Sequence, residues 1–318
     1  SMVSGTGGSI SFGLQTTPGT YTVIGTDASY GCTNNMSGTA TVIANALPSV
    51  FATTGGGSLC AGSAGVHIGI AGSFPGIAYQ LLNGMTPAGS PMAGTGGALD
   101  LGVHTTAGAY TILATNTVTG CTNTMSGMAT VVVNPLPTAD TVSGGGAYCA
   151  GGSGMAISLL NSATGINYQL YLGTSTVGSV VPGSGTPLSF GTRTTTGTYT
   201  IVGINPVTGC RNTMEGNAVI SVNPVAHPSV SLGSPAISTC DADTTTFMAA
   251  TTDGGSAPSY VWTVNGLPAV GAVDAPSYVY VPANGDVVEV TLTSDAPCAV
   301  SPTAAAHVNV TVNPNFTP

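Results

Sequence analysis

Short runs along the chain place apolar residues at every second position. Tyr110, Ile112 and Ala114 fall on one side of such a run, and Thr111, Leu113 and Thr115 on the other. A period of two with Tyr, Thr and Ile prominent predicts a β-strand. The Asn-Thr-Val-Thr-Gly at 116–120 is turn chemistry, and Ala129-Thr-Val-Val-Val133 returns as a second strand, so the stretch predicts a β-hairpin. Further strands are predicted near 65–70, just after Cys60, over 76–82 and over 98–101, the last two matched by 165–171 and 187–190. No run has helical periodicity. About seven short strands per unit, punctuated by turn signals, point to an all-β chain of antiparallel β-sandwiches.

The hairpin is written three times, as Gly19–Cys32, Gly108–Cys121 and Gly197–Cys210. Tyr21, Tyr110 and Tyr199 lie 89 apart (110−21 and 199−110), as do Cys32, Cys121 and Cys210. Each copy runs on through a Met (Met36, Met125, Met214) to an Asn (Asn45, Asn134, Asn223). A fixed period of this size marks tandem structural units. It divides the chain into 1–46, the C-terminal half of a repeat; 47–135 and 136–224, complete repeats; and 225–318, a divergent final unit. Ser1, Ser90 and Ser179 are in register, so the chain is expected to open partway through a repeat. Val-Asn-Pro-Leu-Pro at 133–137 and Val-Asn-Pro at 222–224 form short proline-stiffened joints. A semi-rigid rod on the order of 120–150 Å is expected from them.

Only 4% of the residues are charged, against roughly 25% in an average globular domain, while 42% are hydrophobic. Lysine is absent, and Arg193 and Arg211 stand against 11 acidic residues. A net charge of −9 with so few cations argues against nucleic-acid or anionic-membrane partners. The wealth of β-branched apolar residues argues against disorder. No apolar run approaches the length of a membrane helix, no signal peptide opens the chain, and a repeat with its own cysteine pair does not fit an outer-membrane barrel. Charge normally protects exposed sheet edges. Here the outward faces are expected to be Thr, Ser, Asn and Gly, surfaces that pack against copies of themselves or carry glycans.

The seven cysteines keep the period. Cys60 and Cys121, like Cys149 and Cys210, are separated by 61, and Cys240 and Cys298 by 58. Pairing within units (Cys60 with Cys121, Cys149 with Cys210, Cys240 with Cys298) is the economical reading and implies an oxidising, extracytoplasmic setting. Free buried thiols are the alternative; a metal site would lack a C-x-x-C pair or a neighbouring His. Cys32 is left over, because its counterpart would fall at 60−89 = −29. It is read as unpaired or available for an intermolecular bond.

Catalysis needs convergent titratable groups, and these are scarce. His67 falls in a strand and His227 in a linker, while His104 is equivalent to Gln15 and Arg193, so its position is read as exposed and tolerant of any polar residue. No Ser-His-Asp or Cys-His arrangement suggests itself, and the chain is read as non-catalytic. Asp241 and Asp243, beside Cys240, are weak candidates for a Ca²⁺ site, with a solvated strand start as the alternative. No other cofactor is expected.

The Gly-x-Tyr before the penultimate strand resembles the tyrosine corner of immunoglobulin-like sandwiches. Trp262, in Tyr260-Val-Trp-Thr-Val-Asn-Gly266, falls where that fold puts its central core aromatic, close to the bridging cysteines. The final unit, with this strand, Gly285-Asp-Val-Val and Cys298, resembles the PKD-like and Ig-like modules of secreted bacterial surface proteins. The earlier units, with Gly-x-Tyr-Thr, Thr-Gly-Cys and Val-Asn-Pro, resemble the companion Ig-like repeats. Such arrays occur in long adhesins of gliding bacteria that use type IX secretion. The resemblance covers the whole chain and implies a linear array of Ig-like sandwiches, extracellular or attached to the cell surface. Asp140-Thr-Val142 and Asp243-Thr-Thr245 resemble the O-glycosylation signal of the same group, which marks Thr141 and Thr244 as candidate sites. The implied role is a non-catalytic segment of a stalk or filament, partnered by copies of itself, head to tail or laterally, without membrane insertion. The alternative is an adhesin that binds glycans through the Trp-containing final unit.

Overall fold

The computed structural model describes residues 1–233, 236–240 and 242–314. The chain divides into two compact units, Ser1–Pro135 and Leu136–Pro318. No helix occurs among the described residues. The protein is all-β and built from tandem Ig-like sandwiches.

In the first unit, residues 53–134 form one sandwich. One sheet orders Leu99–His104, Val66–Ile70 and Thr53–Gly55 side by side. The other orders Met92–Ala93, Ile77–Asn83, Gly108–Asn116, Ala129–Asn134 and Gly57–Cys60. All pairings are antiparallel except the last, where Gly57–Cys60 runs parallel to Ala129–Asn134. The alternation seen in the sequence is the burial pattern. Tyr110, Ile112 and Ala114 are buried with Tyr79, Leu81, Ile68 and Ile70, while Thr111 and Leu113 are half-buried on the other face. Each fully buried Ile or Leu contributes roughly 1.5–3 kcal/mol.

The strand that opens each complete repeat changes sheets. Thr53–Gly55 belongs to the first sheet and Gly57–Cys60 to the second, and Gly55, Gly56 and Gly57 all have positive φ (87°, 81° and 136°). A Cβ on Gly55 would collide with the carbonyl of His67, and one on Gly144 with that of Ala156. Only glycine makes this crossing without strain. The Gly-Gly-Gly at 55–57 and its copy at 144–146 are the sequence signal for it, and the strands it produces are not predicted from alternation.

Residues 1–46 carry only part of a sandwich: Gly19–Tyr21 pairs with Ala40–Val42, and Ile24–Thr26 with Thr33–Asn35. Val23 and Met36 are 37% and 46% exposed, where their equivalents Ile112 and Met125 are 0% and 3%. A groove of about 750 Å³ opens over this half-core, lined by Phe12, Tyr21, Val23, Met36 and Val42 among others.

In the second unit, residues 142–223 repeat the sandwich of the first, with Gly146–Cys149 again parallel to the last strand, Ala218–Asn223. Residues 229–313 form another. Ser229–Leu232, Thr245–Thr252 and Ser277–Tyr280 make one sheet, and Ala236–Cys240, Thr303–Asn313, Val287–Thr293, Ser259–Val264 and Leu267–Pro268 the other. Trp262 is 2% exposed and its indole N–H donates to the Ala275 carbonyl at 3.0 Å. It packs beside Tyr278 in the core, as an Ig-like fold requires. The two segments that carry the resemblance are joined directly: Asn265 Nδ2 donates to Asp286 Oδ1 (2.8 Å), and Val287 N–H donates to Asn265 Oδ1 (2.9 Å).

The tyrosine corner is present in each copy of the repeat. Tyr110 OH donates to the Thr106 carbonyl (2.9 Å), Tyr199 OH to Thr195 (2.9 Å) and Tyr21 OH to Thr17 (2.8 Å). In antibody domains a bridging Cys stands two residues beyond this Tyr. Ile112 and Ile201 stand there instead, both 0% exposed. Apolar packing therefore holds these sheets together where a core disulfide would.

The expectation of purely polar outward faces is corrected. Val132, Val219, Met248, Val261 and Val279 also face solvent from strands. Strand alternation leaves these Val and Met side chains on the outer face, and the sequence supplies too few charged residues to replace them.

Tyr110→Phe and Tyr199→Phe each leave a backbone carbonyl without its donor and are expected to destabilise their sandwich by about 1–2 kcal/mol. Tyr21→Phe, in the open half-core, should change stability far less. Denaturant unfolding of the three variants checks the order.

Candidate functional site

The fold gives each sandwich two different ends, and the cysteines mark them. The last strand runs toward the end where the chain leaves, here the exit end. Because Gly146–Cys149 is parallel to that strand, Cys149 lies opposite Asn223 at the exit end. Cys60 lies in the same way opposite Asn134, and Cys240 opposite Asn313. The penultimate strand runs the other way, so the turn that follows it lies where the chain enters. That turn is closed by an Asx motif. Asn116 Oδ1 accepts from Val118 N–H (2.9 Å) and Thr119 N–H (3.1 Å), and Asn205 Oδ1 from Val207 N–H (2.9 Å) and Thr208 N–H (3.2 Å). Asp27 does the same for Ser29 and Tyr30. Each turn ends on its cysteine, through Asn116 N–H to the Cys121 carbonyl and Asn205 N–H to that of Cys210, both 2.9 Å. Asn123 and Asn212 then fasten the entering Pro48 and Pro137 carbonyls to the same end.

The expected pairing within repeats is overturned. Cys149 is bonded to Cys298, with Cα atoms 5.6 Å apart, and Cys121 and Cys240 are free thiols. Cys60–Cys121, Cys149–Cys210 and Cys240–Cys298 therefore do not form. Geometry is the reason. The two cysteines of a repeat stand at opposite ends of strands such as Gly197–Ile204, whose eight residues span roughly 25 Å. A disulfide needs Cα atoms within about 7 Å. The bond instead crosses the joint between consecutive sandwiches. Cys298 sits where the final sandwich begins, exchanging backbone hydrogen bonds with the entering chain: Ala226 N–H donates to the Cys298 carbonyl at 3.2 Å, and Val300 N–H to the Ala226 carbonyl at 3.0 Å. Cys60 and Cys210 are oxidised as well. Cys32 is a free, exposed thiol.

The position of His104 also changes meaning. His104 is half-buried, 5.2 Å from the Tyr110 ring, and its Nε2 lies 3.3 Å from the Leu101 carbonyl. Arg193 donates to the Phe190 carbonyl (2.6 Å) and Gln15 to that of Phe12 (2.9 Å). All three reach back three residues to a carbonyl, and Gly102, Gly191 and Gly13 between them take positive φ; in the two complete repeats the strand pairing shifts register there. In the two complete repeats the side chain is half-buried rather than exposed, and at all three positions it meets that carbonyl.

Other candidates are scattered. His67 Nδ1 lies 2.7 Å from Asp100 Oδ2, with the two side chains 69% and 57% exposed. The Gly102 N–H and the His67 contact hold the Asp100 carboxyl below its ordinary range. Solvent screens such a pair. Asp243 is exposed, and Asp241 lies outside the described residues. Among the described residues no three His, Cys, Asp or Glu side chains gather to hold a metal ion. Thr141 and Thr244 are both exposed. In the final sandwich, partial burial raises the Asp286 pKa, but donors from Ala283 N–H, Asn265 and Tyr280 OH outweigh it and hold the carboxyl below its ordinary value of 3.8. Burial, then the Asp286 contact, pushes the Tyr280 phenol well above its usual value.

No protein-family model matches the chain, and no curated protein matches it. Among solved structures it is similar to the N-terminal four Ig domains of Dscam1 isoform 7.44, at 13% identity and a TM-score of 0.29 over 84% of this chain and 71% of that one. Similar values hold for isoform 1.9 (11%, 0.28, 93% and 80%). The fold assignment above rests on strand order and register, not on these likenesses.

Two measurements follow. Alkylation of the native chain should label Cys32 and Cys240 rapidly and half-buried Cys121 more slowly, while Cys149 and Cys298 react only after reduction; peptide mass spectrometry reads this out. For Asp286 the folded pKa is depressed, so its contribution is complete above the unfolded value near 4 and is lost as pH falls through the folded one. Resistance of the final sandwich to unfolding should therefore fall as the pH drops below about 4, and Asp286→Asn should flatten that dependence.

Proposed function

We propose that the chain is a non-catalytic structural segment of an extracellular multi-repeat stalk or filament at a bacterial cell surface, of the kind its sequence resembles in secreted proteins of gliding bacteria. The observation that carries this is the Cys149–Cys298 bond, which joins the exit end of one sandwich to the entrance end of the next. A load-bearing domain gains a great deal from such a bond. Tension entering along Gly146–Cys149 crosses the sulfurs to Cys298 and leaves along Thr303–Asn313, so residues 150–297 between them carry no load. The free energy adds to this: closing a loop of that length stabilises by about 5 kcal/mol on the chain-entropy model.

The rest of the molecule is consistent with that role. Its sequence holds only two residues that trypsin-like proteases cut after, Arg193 and Arg211, and few charges of any kind. Disulfides imply an oxidising compartment. The glycan-binding alternative relied on aromatics available in the final sandwich. Phe247, Tyr260, Trp262 and Tyr278 are buried and Tyr280 is half-buried, so none of them offers a platform.

Single-molecule extension tests the reading. Pulled from its two ends without reductant, the chain should withhold residues 150–297; reductant should release at least roughly 500 Å of further contour length, at up to 3.6 Å per residue. Equal contour lengths with and without reductant would remove the basis for a load-bearing role.

A further inference from the structure

We propose that Asn123 and Asn212 are load-bearing positioning residues: each locks the entering proline of its repeat, so that tension arriving there passes straight to the last strand. The inference rests on the structural role proposed above and names the contacts that set its strength.

Pro48 and Pro137 are buried, while the residues on either side of each are exposed. A buried proline in an exposed connection needs a socket. In the second complete repeat, a Cβ on Gly203 would lie 3.3 Å from Pro137 Cβ, 3.3 Å from Tyr168 Cε1 and 3.0 Å from Met214 Cε, so all three close around the space the glycine leaves. Tyr79, Ala114 and Met125 hold the same places in the first complete repeat, and all three are buried. The residue paired with Gly203 across the sheet is Asn212, and the one paired with Ala114 is Asn123. Each half-buried amide donates from Nδ2 to the proline carbonyl, at 2.8 Å in both repeats. In the second repeat one cross-strand pair thus holds both the ring and the carbonyl of the proline.

Further contacts fasten the same segment. Phe51 N–H donates to Met125 Sδ (3.4 Å), Ser126 N–H to the Phe51 carbonyl (2.9 Å) and Thr53 N–H to the Ser126 carbonyl (2.8 Å). The second repeat copies them: Asp140 N–H donates to Met214 Sδ (3.4 Å), Glu215 N–H to the Asp140 carbonyl (2.9 Å) and Val142 N–H to the Glu215 carbonyl (2.8 Å). The bridges Ala52–Ser126 and Thr141–Glu215 are parallel. The held segment therefore runs in the same direction as residues 123–126 or 212–215, which lead into the last strand, Ala129–Asn134 or Ala218–Asn223. Tension pulls the entering segment toward the entrance and its parallel neighbour toward the exit. The bonds between them are sheared together rather than opened in turn, and the asparagine bond is the first on the side where load arrives. The final sandwich takes its chain in through other groups, with His227 N–H donating to Asp253 Oδ2 at 3.0 Å.

The test is extension of the full chain at constant force in reductant, where no disulfide shields a sandwich. Asn123→Leu keeps the bulk of the side chain and removes the donor. It should make one of the three complete sandwiches unfold about tenfold faster at a given load, and adding Asn212→Leu should do the same to a second. Pro48→Ala, which spares every donor and loosens the socket, should hasten the same event as Asn123→Leu. Tyr110→Phe takes a donor from a carbonyl of the same repeat away from the held segment, and should leave all three lifetimes within about twofold. The proposal is overturned if Asn123→Leu leaves the lifetimes unchanged, or if Tyr110→Phe shortens one as much. Either result leaves the length withheld without reductant as it was, so failure of the clamp and failure of the load-bearing role are told apart.

Discussion

Everything distinctive in this molecule depends on one constraint, the direction of the short strand that opens each repeat and ends on cysteine. Most pairings in the fold are antiparallel, and an antiparallel opening strand would carry its cysteine back toward the entrance. The crossing at Gly55–Gly57, and at Gly144–Gly146, lets the strand leave one sheet and join the other parallel to the final strand. Its last residue then stands beside the point where the chain departs. From that placement follow the impossibility of a bond inside a repeat and the bond that does form across the joint.

Freed from bridging the two sheets, the cysteines leave the core to side-chain packing alone. Ile112 and Ile201 fill the place where antibody domains put a cysteine, and the corner tyrosines fix the approach to the same strand. A core of this sort is held by apolar area and by a few well-satisfied polar groups, which suits a chain with almost no charge to organise. Three side chains show how local such satisfaction is. His104, Arg193 and Gln15 differ in charge and shape, yet each meets the carbonyl three residues back. The common contact is invisible until the carbonyl is seen.

Outward-facing Val and Met on a surface nearly free of charge remove the usual deterrents to sheet-edge and face-to-face association. The sulfur positions repeat from sandwich to sandwich as well, at the ends of the domains rather than in clefts within them.

Much of this was legible in the residues. Alternation around Tyr110 and Tyr199 determined the strands, Asn-x-x-x-Gly the turns, the 89-residue spacing the repeats, and Trp262 the core of the final sandwich. These are local properties, set by side-chain periodicity and backbone chemistry within a few residues. The partner of Cys149 was not legible, because a constant spacing of 61 to Cys210 says that two cysteines recur together and nothing about the end of the sandwich each one occupies. That depends on the direction in which a strand pairs, a non-local choice made by hydrogen bonds between segments some 75 residues apart, as between Cys149 and Asn223 (223−149 = 74). Tertiary structure alone decided it, since only the folded sheets bring the exit of one domain against the entrance of the next.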